Sequence, residues 1–392
     1  MKYSVVRNRF LRGYLFLKDV LYFFCKNIFR VENKDFDGLS LGDKRILLRN
    51  PAAFGDVLYT LRLVAALKKK YPNIEVGLLV GRWVKSLVEL SPDITYVHYE
   101  DHWAVSRSKD HILLRYLHWW KDRLHVAKEI REKHYDIAVD LYYYFPSGKF
   151  LFYQVGIPCR VGYDSNGGAS LLTKIVSWSI MEQHNVEYQA VLLREIGFLI
   201  ENLEYSFINV PLLQEDRDLL SKKGLLPHDY IIVHIGAGKV THEWSTKNWE
   251  SLIRYLEKKG YKVFLTGIGE REKDSIDAIV KQTSIKAISL CNQLTLQELF
   301  RVINCAYLFI GVDSFAGHIA AMYKIPQISI MHGAANQYHW KPYHNENCVV
   351  VQKKMACSPC YFPSQCKLNH SCMDIPAEDV IEAIQQILGN AL

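Results

Sequence analysis

The chain has no uncharged run near its start long enough to cross a bilayer. Between residues 10 and 29 its aromatic and aliphatic side chains are broken by charge at Arg12, Lys18, Asp19 and Lys26, well short of the ~20 apolar residues a spanning helix needs. No small-residue cleavage site follows, which excludes a secretory leader. No G-x-G-x-x-G follows the first strand of either half, which argues against a dinucleotide oxidoreductase. Short-period repeats and low-complexity tracts are also lacking. The nine cysteines (25, 159, 291, 305, 348, 357, 360, 366, 372) are an odd count, which argues for reduced thiols in the cytoplasm over a disulfide scaffold.

What is there reads as ordinary globular material: 392 residues, 49% hydrophobic and 23% charged, enough for two cores of roughly 150 to 200 residues each. The formal net charge of +7 is concentrated at the start, where Lys2, Arg7, Arg9, Arg12, Lys18, Lys26 and Arg30 face Asp19 alone. The remainder is nearly neutral, so the charge gives no footprint for nucleic acid. Basic and aromatic residues on one helix suit the acidic inner face of the cytoplasmic membrane, at about 1 kcal/mol per Lys or Arg. The other reading is a helix packed on the protein's own body.

From residue 44 the pattern alternates strand and helix. Strands are predicted at 45–49, 74–80, 94–98 and 136–140, with helices at 57–70 and 122–133, giving a mostly parallel sheet. A pause around 201–227, with Pro211 and the turn residues Gly224 to Pro227, marks a boundary. Strands at 230–235, 262–266, 287–290, 307–310 and 327–330 then alternate with helices at 247–259, 270–282, 295–305 and 318–323. The predicted divisions are a basic aromatic segment 1–35, a domain 36–210, and a domain 211–392 that includes a cysteine cluster at 357–372.

Two stretches of the second half and one of the first are suited to chemistry. Gly311-Val-Asp-Ser-Phe-Ala-Gly-His318 runs from an apolar strand into a turn and a helix, where free N–H groups can receive a phosphate. Ser314 adds a hydroxyl, Asp313 can orient the turn, and Ala316 and Gly317 allow close approach. The other reading is an Asp-Ser cap with a buried histidine. His234-Ile-Gly-Ala-Gly238 with Lys239 is a second phosphate candidate, or simply a tight turn. Gly55-Asp56 ends the first strand, so its carboxylate is either an N-cap or a general base.

Taken together these stretches resemble glycosyltransferase family 9, the ADP-heptose:lipopolysaccharide heptosyltransferases. The resemblance rests on Phe54-Gly-Asp-Val-Leu-Tyr-Thr60 with Tyr71-Pro72, Arg160-Val-Gly-Tyr163, His234-Ile-Gly-Ala-Gly238 with Trp244 and Trp249, Leu294-Thr-Leu-Gln-Glu-Leu299, and Gly311-Val-Asp-Ser314 with His318. It covers about residues 43 to 388. It implies an α/β fold of GT-B architecture, two Rossmann-like domains facing across a cleft, and an inverting transfer of heptose from ADP-heptose to a lipopolysaccharide core or related glycan or protein acceptor, with no catalytic cofactor. Asp56 would be the base. Gly236, Ala237, Gly238, Lys239 and His242, with Asp313, Ser314, Phe315, Ala316, Gly317 and His318, would hold the donor diphosphate.

Two positions depart from the family pattern. His242-Glu243-Trp244 stands where the family has a lysine before the tryptophan, so the phosphate cation is His242, Lys239 or Lys247. Phe315 replaces a glycine of the turn. The alternatives are another nucleotide-sugar donor on the same fold, or a non-catalytic sugar-nucleotide-binding protein.

Cys357, Cys360, Cys366 and Cys372 form a C-x2-C-x5-C-x5-C array with turns at Pro359 and Pro363. Four thiolates at such spacing can close around a structural zinc or iron, His370 replacing one ligand, or stay reduced. The partners expected are a nucleotide sugar, a lipid-linked or glycan acceptor, and the inner membrane face through residues 1–30.

Overall fold

The computed structural model describes residues 9–28, 31, 33–34, 41–179, 181–201, 203, 208, 221, 224–282, 286–360 and 366–389, with the side chains of 9–11, 25–28 and 282 excepted. Lys2, Arg7, Arg30, Pro211 and Pro363, all used above, lie outside these residues. The chain divides into two units, Met1–Asn209 and Val210–Leu392.

Each unit is built on a six-stranded parallel sheet. In the first, β1 (Arg45–Arg49), β2 (Glu75–Val80), β3 (Tyr96–Tyr99), β4 (Ile137–Asp140), β5 (Cys159–Tyr163) and β6 (Lys174–Val176) are ordered β3-β2-β1-β4-β5-β6. In the second, β7 (Tyr230–His234), β8 (Lys262–Thr266), β9 (Ile288–Ser289), β10 (Leu308–Val312), β11 (Gln327–Met331) and β12 (Cys348–Gln352) repeat that order as β12-β11-β10-β7-β8-β9. The central strands are buried on both faces, as their apolar runs require. Both sheets reverse direction of growth between their first and fourth strands, and ligands of such folds sit at the carboxyl ends of the strands there.

Close packing fixes two glycines in these frames. A Cβ on Gly77 of β2 would lie 1.9 Å from the Tyr135 hydroxyl, so only glycine fits. One on Gly148 would lie 2.2 Å from Cδ of Arg49, whose side chain crosses there to reach Asp140. In the second unit the helix Leu296–Asn304 opens with a capping box between Thr295 and Glu298. The helix Ala377–Gly389 closes the core, and Ile375 before it accepts from Trp244 Nε1 at 2.8 Å and Asn248 Nδ2 at 2.9 Å.

Residues 9–28 form one helix. Its inner face carries Leu15, Asp19 and Tyr22, all buried. The Gly168 N–H donates to the Asp19 carboxylate, at a turn where Gly167 and Gly168 take positive φ, and Tyr22 stacks on Phe150 with centroids 4.8 Å apart. The helix therefore packs on its own unit by one face. Its other face exposes Phe16, Leu17, Leu21 and Phe24. No helix among the described residues is long and apolar enough to cross a membrane.

Candidate functional site

Asp56 is not the last residue of β1, which ends at Arg49, but lies past the loop 50–53 in the first turn of the helix Phe54–Lys70. That helix begins at Ala53, which has no side-chain cap to offer, and Asp56, three residues on, turns its carboxylate back to the Ala53 N–H. A second donor comes from Asn185 Nδ2, 2.9 Å from Asp56 Oδ1. Burial opposes these two hydrogen bonds and wins, pushing the carboxyl up to about 6. A group there is mostly ionised at neutral pH and basic enough to take a hydroxyl proton in a transition state.

Asn185 is 3% exposed and is the first residue of the helix Asn185–Arg194, capped by His184, whose ring accepts the Val186 N–H. One turn on, Gln189 Oε1 accepts from Thr60 Oγ1 at 2.8 Å, and Thr60 accepts from Asn50 Nδ2 at 2.9 Å. Hydrogen bonds on both turns thus lock the two helices around the carboxylate. A lone asparagine carries no sequence signal, and Asn185 was not anticipated. Burial first, and then the Asp56 charge, raise the phenol of Tyr142, which places the loop after β4 beside the same carboxylate.

Replacing Asn185 by alanine removes one hydrogen bond to the carboxylate and so raises the Asp56 pKa further. The acid limb of the kcat/KM profile is expected to move to higher pH, with a loss of up to about tenfold near pH 6 and less near pH 8. An unmoved limb would mean that the Asn185–Asp56 hydrogen bond does not set the profile.

In the second unit the loop after β7 is tied down from the helix Glu270–Gln282. Arg271 Nη2 donates to the Ala237 carbonyl at 2.7 Å, and its Nε pairs with Glu243 Oε1 at 2.9 Å. A Cβ on Gly236 would fall 2.1 Å from the Glu272 carboxylate, so this glycine makes room for a neighbouring side chain. Gly238, by contrast, faces open space. The His242 ring stacks on that of His332, centroids 3.4 Å apart. His332 follows β11, with Nε2 3.9 Å from Asp313 Oδ2.

Ser314 precedes the helix Phe315–Met322 in extended conformation and does not cap it. Its hydroxyl is buried without a hydrogen-bond partner, as are Thr241 Oγ1, His242 Nε2 and His332 Nδ1. Each such atom costs about 1–3 kcal/mol when left unsatisfied, so a cluster of them points to a polar ligand. Burial, then His332 and Lys239, push His242 down to about 3. Burial and Lys239 push His332 down to about 4. Both imidazoles are therefore neutral near pH 7, and the fixed positive charge they respond to is Lys239. His332 stands between β11 and the turn at Gly333, the same strand-to-glycine signal that marks the loop after β7, so the sequence does carry a signal for it.

The remaining predicted residues divide by role. Phe315 sets its ring edge-on to Phe300, 6.1 Å between centroids, so packing within the second unit takes up its side chain. Ala316, Gly317 and His318 are buried within the helix. Gly317 leaves room for Gln327, whose Nε2 donates to the Gly317 carbonyl at 3.1 Å. Lys247 is exposed in the first turn of the helix Thr246–Lys258.

The cysteine segment folds back on this edge. A Cβ on Gly333 would meet Cβ of Cys372 at 2.6 Å, and His370 is near enough to lower the pKa of His242. Cys366 Sγ accepts the His370 N–H at 3.4 Å. Among the described residues no three His, Cys, Asp or Glu side chains are grouped to hold a metal. Cys357, Cys360, Cys366 and Cys372 thus form no closed four-thiolate site.

The model of glycosyltransferase family 9 (heptosyltransferase) matches residues 123–371. The chain belongs to glycosyltransferase family 9. Among its relatives, lipopolysaccharide heptosyltransferase 3 of Escherichia coli K12 is 26% identical over 351 residues, covering 85% of this chain and 95% of that protein. A family 9 glycosyl transferase from Veillonella parvula superposes with a TM-score of 0.70 at 21% identity, over 89% of this chain and 98% of that one. The E. coli heptosyltransferase WaaC with ADP-2-deoxy-2-fluoro heptose gives 0.64 at 16% identity, over 87% and 99%. At these identities the structures establish the fold, the two-unit α/β architecture of GT-B type that this family 9 chain shares with them.

Proposed function

We propose that this glycosyltransferase moves heptose from ADP-heptose to a lipopolysaccharide core or related cell-envelope acceptor, with inversion at the anomeric carbon. The observation that carries the reading is the cluster of unsatisfied buried polar atoms after β7, β10 and β11, beside Lys239. The names of the relatives, lipopolysaccharide heptosyltransferases, agree with it.

Asp56 takes the proton of the acceptor hydroxyl as its oxygen attacks the anomeric carbon. The bond from that carbon to the diphosphate breaks, and ADP leaves carrying the negative charge. The Ser314 hydroxyl, the first N–H groups of the helix Phe315–Met322 and Lys239 receive that charge, with Gly238 leaving space for it and the His242–His332 pair donating as neutral imidazoles. Contact with the inner membrane face through residues 1–30 brings a lipid-linked acceptor within reach. A structural zinc or iron on the four cysteines has its support in their spacing alone. Elemental analysis of the purified protein decides it, one equivalent per chain or none.

Calorimetry tests the donor site. ADP is expected to bind at least about tenfold more tightly than UDP or GDP, and Ser314→Ala and Lys239→Ala each to weaken ADP by about tenfold or more. Equal affinity for the three nucleotides would instead support another sugar-nucleotide donor. Unchanged ADP affinity in both variants would remove the diphosphate from this edge.

A further inference from the structure

The first unit exposes apolar side chains in a concentration found nowhere else among the described residues. Of 23 exposed large hydrophobic residues, seven lie on the helix Arg9–Ile28 and seven on the helix Ile112–Glu132, so the feature belongs to two helices and not to scattered surface positions. The second helix is apolar on opposite sides. Trp119, Val126 and Ile130 face the core, whereas Leu113, Leu117, Trp120 and Leu124 form an outward row at spacings of four, three and four. A soluble surface helix needs only the first of these faces.

The two helices are neighbours. Phe150 is stacked by Tyr22 from the first and lies 5.5 Å beneath the Arg123 guanidinium of the second. Exposed cations outnumber exposed acids around them among the described residues: Arg107, Lys109, Lys121, Lys128 and Arg131 against Asp110 and Glu132 along the second helix and the loop before it, with Lys128 4.0 Å from Glu132, and Arg12 exposed on the first helix. That loop also leads to the base. Arg107 sits 5.9 Å from the ring of Phe54 and 5.7 Å from that of Trp83, and Trp83 Nε1 donates to the Ala52 carbonyl at 3.1 Å. The loop that leads into the outward row therefore touches the start of the helix that carries Asp56.

We propose that the outward faces of the helices Arg9–Ile28 and Ile112–Glu132 form a single surface that lies in the headgroup region of an anionic bilayer, with the Leu113 end nearest Asp56. Apolar rows take up the acyl boundary and the flanking lysines the lipid charge, the arrangement by which an amphipathic helix lies on a membrane without spanning it. This makes a helix in the middle of the chain a bilayer contact alongside residues 1–30. The proposal extends that contact and is independent of the transfer reaction.

The test is flotation of the full-length protein with vesicles of phosphatidylglycerol and phosphatidylcholine, compared with phosphatidylcholine alone. Wild type is expected to float with the anionic vesicles, less so at high salt. The triple variant Leu113→Ser, Leu117→Ser, Trp120→Ser should bind at least tenfold more weakly while unfolding at the same temperature. In the unaltered protein, lipids brominated near the headgroup should quench tryptophan fluorescence, and Trp120→Phe should lose part of that quenching. Equal flotation of the triple variant, or no quenching that depends on Trp120, overturns the proposal. So does a wild-type dimer that the triple substitution converts to a monomer while neither form floats, since a second copy of the chain is then the occupant. None of these readouts uses donor or acceptor, so they stand whatever the outcome of the nucleotide experiments.

Discussion

Asp56→Asn is expected to lower turnover by about 10²- to 10⁴-fold, the range of a positioned general base, with ADP affinity unchanged. The side chain keeps its size and its contact with Asn185 but loses the ability to accept a proton. The same substitution carries a second signature. Asp56 titrates at about 6 in the folded chain, against roughly 3.9 when unfolded. A raised carboxyl contributes stability that is complete below the unfolded value and is lost as pH rises through the folded one. At neutral pH the ionised Asp56 therefore weakens the fold, and asparagine relieves that by on the order of 2–3 kcal/mol. Thermal unfolding should show a higher midpoint than wild type near pH 7.5 and no difference near pH 4. Loss of activity together with loss of stability would mean that the carboxylate is structural.

Arg49→Leu is expected to be the most damaging single change in the first unit. Arg49 is 1% exposed, donates to Asp140 Oδ1 and to the Pro146 carbonyl, both at 3.0 Å, and has Glu100 at 3.8 Å from its Nε. Asp140 and Glu100 are themselves buried. Leucine would leave two carboxylates with less compensation: Asp140 keeps the Gly148 N–H at 2.8 Å, and Glu100 keeps Arg123 and Trp119. Breaking such a pair costs about 3–5 kcal/mol, to be read from the urea midpoint of the unit that carries it at unchanged slope. Asp140 leads into the loop of Tyr142, so the residual folded protein should also be slow. A change within ±0.5 kcal/mol, typical of surface positions, would contradict this account.

How much of this was legible in the sequence depended on whether a residue's neighbours along the chain are its neighbours in space. Strands such as Ile46 to Leu48 and Ile231 to Val233 are buried on both faces, and their unbroken apolar runs announce it. β6 is three residues long and β12 carries no glycine turn, so neither stood out. The helix Ile112–Glu132 was read only from residue 122, because apolar side chains on both faces of its first half erase the period that marks a helix. Asp56 and the turn at 313–318 were visible because glycine and polar residues follow apolar strands. Asn185 acts on Asp56 from a distant helix, and no local pattern reports a partner more than a hundred residues away, whereas His332 opens a glycine turn at Gly333 that does mark the end of its strand.

The repeated strand order has a consequence for how such a chain diverges. In each half the reactive groups hang from the ends of strands that the ladder has already fixed, at residues that take no part in any strand pairing. His242 and Phe315 lie in the loops that follow β7 and β10, while those strands keep an unbroken register from Leu308 against Ile231 to Gly311 against His234. Inheritance can thus revise one loop at a time. Under the proposed function, the nucleotide preference of the second half can drift while the acceptor chemistry of the first stays as it was.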